Sequence, residues 1–121
     1  MGGIRRLFLG NKEEDIGALK KKYGSPPSQF IGLPNGVNLH VRDEGNPKYP
    51  PIILAHGHTE DLHTWNKLVE KLIVDYRVIS FDLRRHGLTG PAPDNEYKLD
   101  NYVSDLSLLI QHLGINDFIL I

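Results

Sequence analysis

Two short stretches carry side chains that could do chemistry. In ILAHGHTED, residues 53–61, an apolar run ends in His56-Gly57-His58, with Glu60 and Asp61 close behind. In DLRRHG, residues 82–87, Asp82, Arg84, His86 and Gly87 follow a second apolar run. Histidines two apart on a strand project to the same side, as metal ligands often do. One reading of the first stretch is therefore a His-x-His zinc hydrolase with an acid ligand from Glu60 or Asp61. It needs further ligands downstream, where His86 and His112 are the candidates. His112 precedes Leu113 in an amphipathic helical pattern and reads as a helix-surface residue. The other reading uses backbone. Gly57 permits a sharp turn directly off a strand. The N–H of His58 would then face the end of the sheet and could stabilise the oxyanion of a tetrahedral intermediate. In that reading His56 and Gly57 shape the loop, and no metal is required.

The elements that must position these residues follow from periodicity. Residues 12–24, KEEDIGALKKKYG, read as a surface helix with Ile16, Leu19 and Tyr23 on one face. Its late Lys20-Lys21-Lys22 run suits the negative end of the helix dipole and reads as a solvated end. QFIGL and VNLHVRD, joined by Pro-Asn-Gly, predict an antiparallel hairpin. In the second strand Val37, Leu39 and Val41 alternate with Asn38, His40 and Arg42, so His40 is expected on the exposed face. IILAH, YRVISFD and DFILI are continuous apolar runs, as in strands buried on both sides. Between the first two, Leu62, Trp65, Leu68, Val69, Leu72 and Ile73 recur at helical spacing, which reads as core. Between the last two, Leu99, Tyr102, Val103, Leu106, Leu109, Ile110 and Leu113 form one stripe, and Gly114 stands where a capping glycine belongs. Strand–helix–strand–helix–strand with apolar strands predicts right-handed parallel βαβ units. Ligands of such sheets bind outside the carboxyl ends of the strands, where both chemical stretches fall.

Composition narrows the function classes. The 121 residues are 40% hydrophobic and 24% charged, as expected of a globular domain. The net charge of −1 gives no general attraction to nucleic acid or anionic membrane. With no cysteine, disulfides and thiolate metal sites are excluded. No apolar run approaches the ~20 residues of a membrane span, and a cytoplasmic location is the default expectation.

Taken together, the two stretches resemble the start of the α/β-hydrolase fold family. Its pattern is strand, His-Gly-x, helix, strand, then Asp-x-Arg-Gly-His-Gly-x-Ser, matched here at His56, Gly57, Asp82, Arg84, His86 and Gly87. The resemblance runs from about Phe30 to Ile121 and includes VNLHVRDEG. It implies an α/β fold that is the N-terminal part of a hydrolase sheet: an antiparallel hairpin, then parallel βαβαβ, with helices on both faces. It further implies a lead-in over 1–28 and an incomplete core domain over 29–121. The implied chemistry is ester or acyl-bond hydrolysis of a small-molecule substrate, without a cofactor, by a nucleophile–His–acid triad. His58 would supply an oxyanion N–H, while Asp82, Arg84, His86 and Gly87 would form a structural loop motif. Arg85 and Thr89 depart from the pattern's glycine and serine. A left-handed backbone at Arg85 would cost ~1–2 kcal/mol.

The family's nucleophile sits on Gly-x-Ser-x-Gly, just after the strand that DFILI begins, and its acid and histidine follow. Ser25, Ser28, Ser80 and Ser104 do not stand at that position. Some members of the fold use an aspartate nucleophile on epoxides or haloalkanes instead. The resemblance therefore places the triad beyond this chain. The alternative is an inactive fragment, or half of a split hydrolase completed by a partner chain. DFILI would lie at a sheet edge, so self-association through that strand is expected.

Overall fold

The computed structural model describes residues 13–57 and 60–121. The His58 oxyanion expectation therefore falls outside the described residues, as does the Ile16 side chain. Helix α1, Glu13–Tyr23, leads into strands β1, Ser28–Gly32, and β2, Asn38–Glu44. The turn between them closes as its sequence requires: Gly36 lies at φ 88°, and its N–H donates to the Leu33 carbonyl. Strand β3, Pro51–Ala55, is followed by a 3-10 turn, Leu62–Trp65, and helix α2, Asn66–Leu72. Strand β4, Arg77–Phe81, helix α3, Leu99–Leu113, and strand β5, Ile119–Leu120, complete the order.

The five strands form one sheet in the order β1-β2-β4-β3-β5. The pairs β1–β2 and β2–β4 are antiparallel; β4–β3 and β3–β5 are parallel. The two crossovers cover opposite faces. On one face Val69 of α2 packs with Ile52, Leu54 and Val78, and Trp65 joins them. On the other, Leu109 of α3 packs with Leu39, Val41, Ile53, Ile79 and Phe81. The crossover from β3 runs to β4 on one side, and the crossover from β4 returns past β3 to β5 on the other. The crevice beyond the carboxyl end of β3 is the switch point of the sheet.

Two local expectations change. The helical pattern from Leu62 begins as a 3-10 turn, because Asp61 accepts the His63 N–H and the Asn66 N–H closes onto the His63 carbonyl. His40 is not on an exposed face but fully buried. Its ring stacks on Phe30, its register partner, at 5.1 Å between centroids. Phe30 in turn packs beside a small cluster of Leu19 from α1 and Leu88 from the loop after β4. That helix and loop cover the side of the hairpin that alternation alone assigns to solvent.

Candidate functional site

Asp82 is the first residue past β4, fully buried, with every carboxylate bond directed at a different part of the chain. Its Oδ1 accepts the Leu62 N–H at 2.7 Å, fixing the start of the turn after β3. Its Oδ2 accepts the Leu88 N–H at 2.8 Å and the His40 Nδ1–H at 2.6 Å. The loop 82–89 closes tightly on this carboxylate. Gly87 lies at φ 50°, and a Cβ there would fall on the Asp82 carboxylate itself. Thr89 is enclosed, donating its hydroxyl to the Asp82 carbonyl at 2.8 Å and accepting the His40 N–H at 2.9 Å. Arg85 adopts φ 61°, the left-handed conformation its place in the motif would require.

His56 holds the opposite flank. Its Nδ1–H donates to the Gly57 carbonyl at 2.7 Å, and its Nε2 accepts the Leu83 N–H at 2.9 Å. Both ring nitrogens are thus committed to backbone, with no lone pair free for a metal. Burial, the largest influence, disfavours the imidazolium and moves His56 below its ordinary 6.5 despite the Gly57 carbonyl and nearby carboxylates. Among the described residues, no group of three His, Asp or Glu side chains could hold a metal ion. Gly57 does not adopt a left-handed φ; its carbonyl instead accepts both His56 and the Glu60 N–H, the latter at 3.1 Å. The segment 57–62 is therefore tied at one end by His56 and at the other by Asp82. His86 lies beside this clamp, with its ring 5.2 Å from His56 and its Nδ1–H directed at the Arg84 carbonyl at 2.9 Å.

Arg84 points away from the crevice. Its Nε and Nη2 each donate to Asp105 of α3 at 2.7 Å, and its Nη1 donates to Asp94 and to the Glu96 carbonyl. The Asp105 hydrogen bonds outweigh burial and raise the guanidinium above its ordinary value. Asn35 in the hairpin turn also donates to Asp105, at 2.8 Å. One buried cation thereby joins the β4 loop, α3 and the hairpin.

Several polar residues of this region carry no motif. Asp105 is an acid on the inner side of α3, spaced three and four residues from Tyr102 and Leu109. That break in an apolar stripe is the signal that could have found it. Ser28, Arg42 and His63 lie on the α1 and α2 side of the sheet, continuous with His40. Arg42 Nε donates to Ser28 Oγ at 3.1 Å, and its Nη2 to His63 Nε2 at 3.3 Å. His63 Nδ1–H then donates to Asp61 Oδ1 at 3.1 Å. Burial raises Asp61, but hydrogen bonds from the His63 ring and backbone outweigh it and leave the carboxyl below its ordinary value.

Comparison with known proteins agrees with this architecture. Epoxide hydrolase 4 of Mus musculus is 31% identical over 88 residues, 72% of this chain and 24% of that protein. A solved structure of an esterase from Exiguobacterium antarcticum superposes with a TM-score of 0.69 at 27% identity, covering 76% of this chain and 34% of that one. A structure from work on epoxide hydrolases in metagenomes of hot environments gives a TM-score of 0.72 at 32% identity, with 77% and 32% covered. The chain spans 15% of the length of an oxidoreductase-named relative from Mycobacterium tuberculosis, and about a quarter of the mouse protein. The model of the α/β hydrolase fold family matches residues 50–121, more than half of the sequence. The chain belongs to the α/β hydrolase fold family.

Proposed function

We propose that this chain forms the oxyanion-side portion of a hydrolase that opens ester or related acyl bonds in small molecules. The reading rests on the double clamp of segment 57–62: His56 holds the Gly57 carbonyl and Asp82 holds the Leu62 N–H. A loop fixed at both flanks, at the carboxyl end of β3, can hold a backbone donor without reorganising during reaction. We assign that donor to the His58 N–H. The nucleophile, base and acid would come from residues beyond Ile121, or from a second chain that completes the sheet. The relation to mouse epoxide hydrolase 4 favours a second reading, in which the same loop serves a carboxylate nucleophile that opens an epoxide.

Turnover of p-nitrophenyl butyrate and styrene oxide should be measured in the protein that carries this segment. His58→Pro, which removes the backbone donor together with the imidazole, should lower kcat by about 100-fold or more. His58→Ala should stay within about tenfold. Equal loss in both variants would assign the role to the imidazole and overturn the backbone reading. Preference for styrene oxide over the ester would select the second reading. Absence of turnover with both substrates would mark a segment that another chain must complete.

A further inference from the structure

The buried polar seam under α1 contains a second arrangement with catalytic form. Ser28 Oγ lies 2.8 Å from His40 Nε2, and His40 Nδ1 lies 2.6 Å from Asp82 Oδ2. Asp82 also accepts two backbone N–H groups, so it is held in place as the orienting acid of a triad must be. An ionised Asp82 only accepts, so the proton of a neutral His40 sits on Nδ1, against Asp82. Nε2 is then the acceptor, and the Ser28 hydroxyl donates to it while its oxygen accepts from Arg42 Nε. This is the hydrogen-bond order of a serine nucleophile, its base and the base's orienting carboxylate, built from β1, β2 and the end of β4. It is separate from the triad that the family fold places after β5.

We propose that Ser28 is an activated nucleophile that accepts a small acyl group. Ser28 is 8% exposed on β1, the strand at the sheet edge, so a small electrophile such as an acetyl ester is the class expected to reach it. Arg42 extends from Ser28 into a cleft of about 250 Å³ that it lines with Glu44, Asn66, Val69, Glu70 and Ile73. In the step, Ser28 Oγ bonds to the carbonyl carbon of an activated acetyl ester and its proton passes to His40 Nε2. The tetrahedral intermediate collapses with expulsion of the alcohol or phenolate, and His40 returns the proton to solvent. Arg42, 3.1 Å from Oγ, offers positive charge beside the developing negative charge. Ser28 and His40 touch the reacting atoms; Asp82 positions His40.

The test uses the 121-residue chain with p-nitrophenyl acetate, followed by peptide mass mapping. We expect a burst approaching one equivalent of p-nitrophenolate and one acetyl group on Ser28. Ser28→Ala should abolish both, while Ser28→Cys, which keeps a nucleophile beside His40, should retain labelling. His40→Gln should slow acetylation by about 100-fold or more. Circular dichroism must show each variant folded, and the Ser28→Ala and Ser28→Cys pair decides the matter should His40→Gln unfold. Acetyl found only on lysines or other histidines, or labelling of Ser28 that is as fast in denaturing urea, would overturn the proposal. The outcome is independent of the His58 assignment, because no variant here touches segment 57–62.

Discussion

At Arg85 two local effects oppose each other. Its φ of 61° costs a side chain with a Cβ about 1–2 kcal/mol. Its guanidinium lies 5.6 Å from the Tyr97 ring centroid, a contact worth about 0.5–1 kcal/mol at an exposed site. The strain is the larger, so Arg85→Gly should stabilise the chain by about 0.5–1 kcal/mol in urea unfolding. Arg85→Ala keeps the strain and loses the ring, so it should destabilise; a destabilised Arg85→Gly as well would show that the ring contact governs. Gly87→Ala has no such compensation, since its Cβ would displace the carboxylate holding Leu62, Leu88 and His40. We expect a loss of at least ~2 kcal/mol. Protonation supplies a further residue-scale expectation. His56 is depressed below 6.5 in the folded chain, so the unfolded chain takes up the proton first as pH falls. Stability should be level above pH 6.5 and decline below it, until the folded imidazole also titrates. Asp61 is likewise depressed, and its contribution should be lost as pH falls below its ordinary 3.8. Urea midpoints across pH 4.5–8 should lose the decline near 6.5 in His56→Gln, if that variant folds, and keep it in His86→Gln.

Among the elements, α3 depends on one buried ion pair as much as on its apolar stripe. Arg84 is 1% exposed and meets both Asp105 oxygens. Asp105→Ala would leave a buried guanidinium with only Asp94 and one carbonyl, and should cost about 3–5 kcal/mol. Asp94→Ala, which removes a more exposed partner, should cost under about 1 kcal/mol. A small effect at Asp105 would mean that water enters to solvate Arg84. The helix itself was legible in sequence, because its stripe and Gly114 are local signals, and Gly114 indeed adopts φ 66°. The parallel βαβ units were legible for the same reason, since each depends on spacing within a few dozen residues, whereas the helices on both faces and the motif residues were expectations of the family resemblance. The partners were not. Asp105 reads as an ordinary helix acid until the fold brings Arg84 beneath it. His40 alternates as an outward residue, and its burial depends on Leu88 and Leu19, neighbours far along the chain. His63 and Ser28 carried no motif, and only the folded sheet places them in line with Asp82.

Over the whole molecule, apolar surface is divided unevenly between the two ends of the sheet. The β1 side is partly covered by α1, through Leu19, Tyr23 and Phe30. The β5 side pairs with β3 alone, through Ile52, Ile53 and the Ile121 bonds to Ile53 and Ala55. Ile119, Leu120 and Ile121 are each 51% exposed, and on α3 Leu99 and Val103 are 75% and 55% exposed although both belong to the predicted stripe. A short apolar strand with an open row of backbone donors and acceptors is a template for another strand. The 121-residue chain studied alone should therefore associate, and its mass in sedimentation velocity should rise with concentration. Leu120→Lys adds a charge to that edge without removing a backbone hydrogen bond. It should raise the concentration of half-association by at least about tenfold, equivalent to ~1.4 kcal/mol. Arg85→Gly, in the loop after β4, should leave association unchanged. A wild-type chain that stays monomeric at every concentration and unfolds in one cooperative step would show that the apolar edge is stable in water as it stands.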